Sequence, residues 1–257
     1  MEMISVGQYD LIYNAFSFTF ATMAAATLFF WLGRSQVAPA YKTAMTITGL
    51  VTFIAAYHYL RIYQSWDSAF DVQSGMIETT GYAFNTAYRY VDWLLTVPLL
   101  LIELILVMNL SRQETISKAT SLGIAAALMV AIGYPGEVAE AASDRWVWGL
   151  IALVPFLYIV YNLFTGLKDS IESQPDDVRG LVSAARWVTV LSWSFYPIVF
   201  FAGAIGLAGA TATTIVEVGY TIADIVSKAG FGVLIYMIAI RKSAHDTQGH
   251  PAAVAAE

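Results

Sequence analysis

The sequence has no cysteine, only three histidines, and charge on just 12% of its 257 residues. The first absence excludes disulfides and thiolate metal sites and leaves the redox compartment unmarked. His245 and His250 fall in a polar stretch at the carboxyl end, so no metal centre is expected. Lys and Arg together number 13 against 19 Asp and Glu, and no basic stripe points to nucleic acid as a partner. The net charge of −6 is spread over connections and a few intrahelical positions, so bulk charge identifies no partner class. The first ten residues include Glu2 and Asp10 and lack the basic opening of a signal peptide, so no cleaved leader is expected.

What the chain has in excess is apolar surface. Hydrophobic residues make up 58% of it, more than one water-soluble core can hide, which places it in the membrane class. Seven stretches, about 8–33, 43–65, 84–109, 116–135, 146–168, 182–207 and 213–241, each reach the roughly 20 residues that a bilayer-crossing helix needs. Their apolar runs are continuous and do not alternate, so helices satisfy the backbone in lipid where strands would have to close into a barrel. The expected fold is an all-α membrane protein, a seven-transmembrane-helix bundle in one domain spanning 1–257, with a polar tail at 243–257. Only the connection from Gln64 to Asn85 is long, and no repeat is found. Cytoplasmic loops are enriched in Lys and Arg. Arg34, Lys42, Arg112, Lys118, Lys168, Arg179, Arg186, Arg241 and Lys242 share one side, and Arg61 and Arg145 the other. The amino end is therefore expected outside and the carboxyl end in the cytoplasm.

Arg89 and Lys228 remain, both inside apolar runs. Ionisable groups within a bilayer are costly and by default mark a functional path with internal partners. On the third segment Arg89, Asp92, Thr96 and Glu103 fall on one face at helical spacing, with Asp92 and Glu103 roughly 16 Å apart along the axis. On the seventh, Tyr220, Asp224 and Lys228 recur every fourth residue, with Glu217 about one turn before Tyr220. An i,i+4 salt bridge would explain Asp224 and Lys228 on a soluble helix. In lipid, a buried lysine is also an attachment point for a carbonyl cofactor, with the two aspartates as counter-charge. Glu103, among Leu100, Leu101, Ile102, Leu104 and Ile105, is expected to be neutral and protonated, a state suited to a proton donor; its alternative is a buried acid bonded to a neighbouring helix. Trp193, Tyr196 and Phe200, with Trp93, could wall a flat conjugated ligand or simply pack.

Three segments, Arg89-Tyr90-Val91-Asp92-Trp93-Leu94-Leu95-Thr96-Val97-Pro98, Trp193-Ser194-Phe195-Tyr196-Pro197 and Asp224-Ile225-Val226-Ser227-Lys228, resemble the microbial rhodopsins. The resemblance implies all-trans retinal on Lys228 as a protonated Schiff base, Asp92 as counter-ion and proton acceptor, and Asp224 as second counter-ion. It makes Tyr59 and Tyr196 hydrogen-bond partners of the latter and Arg89 a gate of the outward path. The implied pocket comprises Trp93, Val97, Leu100, Met129, Gly133, Trp193, Tyr196 and Phe200; Phe200 departs from the Trp or Tyr common in relatives. The triplet Asp92, Thr96, Glu103 is similar to that of proteorhodopsins and xanthorhodopsins, with Glu103 as proton donor, and unlike those of sodium and chloride pumps. Leu100 matches the position where leucine accompanies green absorption, and His58 the position of a histidine that bonds the acceptor aspartate.

Gly149 matches a glycine of xanthorhodopsin-like proteins that opens a window for a carotenoid antenna, a xanthophyll; glycine also serves helix packing, and both readings stand. Glu217 is a candidate for proton release or simply an acid at the outer helix end. The resemblance thus implies a light-driven outward proton pump, a transporter and not an enzyme, in a bacterial inner membrane, in contact with lipid and as a homo-oligomer. The alternative is a retinal photosensor signalling to a transducer, against which Glu103 counts because sensors usually lack a carboxylate there.

Overall fold

A computed structural model describes residues 4–73, 76–206 and 208–249. Helix α1 (Val6–Gly33) starts at a capping box: the Ser5 hydroxyl accepts from the Gln8 backbone N–H, and the Gln8 side chain accepts from the Ser5 N–H. Two short 3₁₀ turns lead to α2 (Lys42–Ala69). After α3 (Ala87–Val107), α4 (Arg112–Glu137) opens with a second capping box, Ser111 with Glu114. Helix α5 (Ala142–Tyr161) runs into a π turn (Asn162–Gly166), then come a short α6 (Lys168–Glu172) and the long α7 (Asp176–Ala204). Helix α8 (Ala210–Asp224), a π turn (Ile225–Gly230) and α9 (Phe231–Gly249) form one rod.

Among the described residues the long rods are therefore seven, each packed on the next in chain order, and α8 returns to α1 to close the ring. Six are long and apolar enough to cross a membrane. The exception, α7, has the length but carries Arg186, Ser183, Thr189, Ser192 and Ser194. Those hydroxyls are satisfied within the rod: Thr189 donates to Ala185 O, Ser192 to Val188 O and Ser194 to Val190 O. Arg186 lies over the Phe164 ring and donates to Ser183. Around the ring, large apolar side chains such as Phe18, Leu32, Leu191 and Ile198 point outward, while Arg89, Asp92, Glu103, Asp224 and Lys228 are buried. That inside-out distribution suits lipid as the solvent.

Three expectations change. Helix α2 continues to Ala69, past the expected end at 65, and the long connection holds an antiparallel pair, β1 (Phe70–Gln73) and β2 (Met76–Thr79), with Phe70 opposite Thr79. Four residues per strand are too few for alternation to stand out in the sequence. The hairpin is anchored by Ile77, buried with Tyr9, Phe16, Tyr59, Ile62 and Trp66. Residues 243–249, expected as polar tail, continue α9, helped by Ser243 donating to Ala239 O and Thr247 to Ser243 O. The tail from 250 onward lies outside the described residues.

Candidate functional site

Lys228 lies on the π turn of the last rod, 1% exposed. A π turn shifts the phase of a helix locally and recurs at functional sites. The Lys228 ammonium stands 2.7 Å from Asp92 Oδ2 and 3.0 Å from Asp224 Oδ1, so α3 and the last rod are joined at this nitrogen. The two carboxylates are not equivalent. Asp224 accepts from the Tyr59 hydroxyl at 2.8 Å, the Tyr196 hydroxyl at 2.5 Å and Trp93 Nε1 at 3.2 Å. Asp92 has one oxygen on Lys228, and its Oδ1 has no hydrogen-bond partner among the described residues. Asp92 is thus the acid with room for an arriving proton, and Asp224 the one locked in place.

His58 Nδ1 is 4.0 Å from Asp92 Oδ1 and 2.9 Å from the Ile54 carbonyl. The structure brings the histidine beside the acid, as expected, and the same nitrogen also meets a carbonyl of its own helix, four residues back. Thr96 likewise donates to the Asp92 carbonyl.

On one flank, Arg89 donates to Glu217 Oε2 at 2.5 Å with its guanidinium 4.6 Å from the Tyr220 ring centre. Glu217 is buried and paired with Arg89. The buried constellation around Lys228 therefore holds two cations and three carboxylates, one acid more than the neutral set of Arg89, Asp92, Asp224 and Lys228. On the other flank, Glu103 is fully buried and neither oxygen has a hydrogen-bond partner among the described residues. Its polar neighbour Thr48 gives its hydroxyl to Ala44 O.

A cavity runs from Lys228 between α3, α4, α5 and α7, lined by Trp93, Val97, Leu100, Met129, Gly133, Trp193 and Tyr196 and ending at Gly149, Phe200 and Phe201. About 110 Å³ of it is open to the centre of a water-sized sphere, well beyond the space of a single water. One buried amine at one end, apolar and aromatic walls along the length, and no other charged group but Asp224 fit a long, apolar aldehyde. Every expected pocket residue lines this space. Tyr90, Phe156, Phe201 and Ser227 line it too and were not expected; the i,i+3 spacing of Tyr90 and Trp93 was the one available signal.

At the far end Phe200 is wedged between two glycines. A Cβ on Gly149 would lie 2.5 Å from Phe200 Cε1 and 2.9 Å from Phe201 Cε1, and one on Gly136 would lie 2.8 Å from Phe200 Cζ. Gly149 thus makes room for these two rings.

The family model for bacteriorhodopsin-like protein matches residues 11–242. The green-light absorbing proteorhodopsin of Gamma-proteobacterium EBAC31A08 is 31% identical over 236 residues, 91% of this chain and 89% of its own length. Among solved structures, xanthorhodopsin, described as a light-driven ion pump with dual chromophore, superposes with a TM-score of 0.92 at 49% identity, over 95% of this chain and 97% of its own. A thermophilic rhodopsin gives 0.93 at 42% identity, over 96% and 99%.

Proposed function

Because the chain belongs to the bacteriorhodopsin-like family, we propose that it is a light-driven outward proton pump that carries all-trans retinal on Lys228. The observation that carries this reading is the placing of Lys228 Nζ between Asp92 and Asp224, with Glu103 alone on the same helix roughly 16 Å further along. When bound, retinal supplies a light-absorbing polyene whose isomerisation weakens the hold of the nitrogen on its proton. The residues do the rest. Asp92 takes the proton, Asp224 stays fixed by its three donors as counter-charge, and Glu103 returns a proton to the nitrogen from the opposite side. Arg89 and Glu217 stand on the Asp92 side of the nitrogen and form the outward leg, with Glu217 the release candidate.

Direction follows from orientation. The excess of Lys and Arg on the side of the carboxyl end supports that end as cytoplasmic, which puts Glu103 on the inner side of Lys228 and Asp92 on the outer. A single-domain chain, in homo-oligomers in a bacterial inner membrane, completes the reading. Illumination of cells making the protein should acidify the medium, and a protonophore should abolish the change. Light-driven alkalinisation would overturn the assignment.

A carotenoid antenna is the finer part of the proposal. It is supported by the 49% identity to a protein described as having a dual chromophore and by Gly149 at the end of the cavity. Since Phe200 and Phe201 abut Gly149, a carotenoid seated there is expected to displace them. Adding hydroxylated carotenoids should sensitise retinal, and Gly149→Trp should remove the transfer; no transfer in either protein would end this part of the reading.

A further inference from the structure

We propose that Lys242 is a positioning residue that holds closed the route by which Glu103 regains a proton. This rests on the proton-pump reading above. Lys242 is the third buried cation of the described residues, 7% exposed, and the mechanism just given does not use it. Its ammonium donates to Met108 O at 3.0 Å and to Gln174 Oε1 at 2.8 Å, and lies 5.7 Å from the centre of the Tyr41 ring. Gln174 completes the knot, its Nε2 donating to Met108 O at 3.2 Å and to Ser170 O at 2.9 Å.

These contacts join four parts of the chain. Met108 caps α3, and the chain then turns at Asn109, which has φ 55°, so its carbonyl lies among those at a helix end that have no partner in the helix. Gln174 lies in the link between α6 and α7, Tyr41 at the start of α2, and Lys242 on α9. A lysine on the last carbonyls of a helix also meets the negative end of its dipole. A second tie runs beside it, His245 to Asp177 at 2.9 Å, again from α9 to the start of α7. Asp246 faces the ammonium as its anionic neighbour.

The knot stands over Glu103. Met108 follows it by five residues, about 7.5 Å along the axis, and Leu104, Ile105 and Val107 between them are at most 1% exposed. A proton reaching Glu103 from this end has to pass the Lys242 ammonium and then an apolar layer. The knot thus sets how fast Glu103 recaptures a proton. Pure helix capping would secure α3 without touching that rate, so the rate separates the two roles.

The test uses the full chain with retinal in nanodiscs, with flash-induced proton uptake followed by a pH dye. Lys242→Met, which keeps the length and removes the charge, should speed uptake about fivefold, the worth of roughly one net hydrogen bond. Gln174→Leu should act in the same direction, and Lys242→Arg should restore the original rate. In a Glu103→Gln background the acceleration should vanish. Uptake unchanged or slower in both Lys242→Met and Gln174→Leu would overturn the proposal; should Lys242→Met fail to take up retinal, Gln174→Leu decides alone. Absence of any light-induced proton signal in the unaltered chain would instead overturn the pump reading.

Discussion

Glu217 on α8 receives Arg89 of α3 at 2.5 Å, both side chains buried and 128 positions apart in the chain. Removing one partner of a buried pair leaves an uncompensated charge and typically costs about 3–5 kcal/mol. Glu217→Gln is therefore expected to lower the thermal midpoint of the retinal-bound protein by several degrees. It should also delay proton release to the medium after a flash. Release on the original timescale would assign the pair to structure alone.

The free oxygen of Asp92 and the saturated oxygens of Asp224 predict different phenotypes. Asp92→Asn should stop light-driven acidification and remove the pH-dependent colour change that titration of the acceptor produces. Asp224→Asn leaves the hydroxyls of Tyr59 and Tyr196 and the Trp93 N–H around a neutral amide, and the expected loss is in pigment yield and stability. Measuring the visible spectrum from acid to alkaline pH in both variants checks the distinction.

Among the described residues neither oxygen of the buried Glu103 has a hydrogen-bond partner, so its carboxyl can hold a proton for delivery. A positioned donor is worth about 10²-fold or more in a proton transfer. Glu103→Gln should slow recovery of the ground-state absorbance by that order, with the first proton transfer unaffected, and azide should restore the rate. An unchanged photocycle would deny the donor role.

The notch around Phe200 gives a steric prediction. Gly136→Ala and Gly149→Ala each place a Cβ within 2.8 Å of its ring, and overpacking of this kind costs about 1–3 kcal/mol. Both should retard retinal uptake by the apoprotein and shift its absorption maximum, and adding Phe200→Leu to either should relieve the effect. Unaltered uptake and spectrum in both single variants would show that the rings simply move aside.

Much of this protein was legible in its amino-acid order because a bilayer is an unforgiving solvent. An Arg, a Lys and several carboxylates within long apolar runs need internal partners, and helical spacing alone put Arg89, Asp92, Thr96 and Glu103 on one face and Tyr220, Asp224 and Lys228 on another. The seven rods followed from run length, with ends misjudged by a few residues, most at Asp176 and Gly249, where polar residues carry a helix beyond its apolar stretch.

Partnership between rods was a different matter, because it depends on the rotation, depth and local phase of each helix. The π turn at Ile225–Gly230 alters that phase beside Lys228 itself. Tertiary structure alone decided that Glu217 pairs with Arg89 and that His58 turns one nitrogen to Ile54. It alone decided that Gly149 backs Phe200 and that Lys242, in the sequence one of nine basic residues sharing a side, reaches in to the end of α3. Sequence marks which groups cannot be left alone in lipid; the packed bundle selects their company.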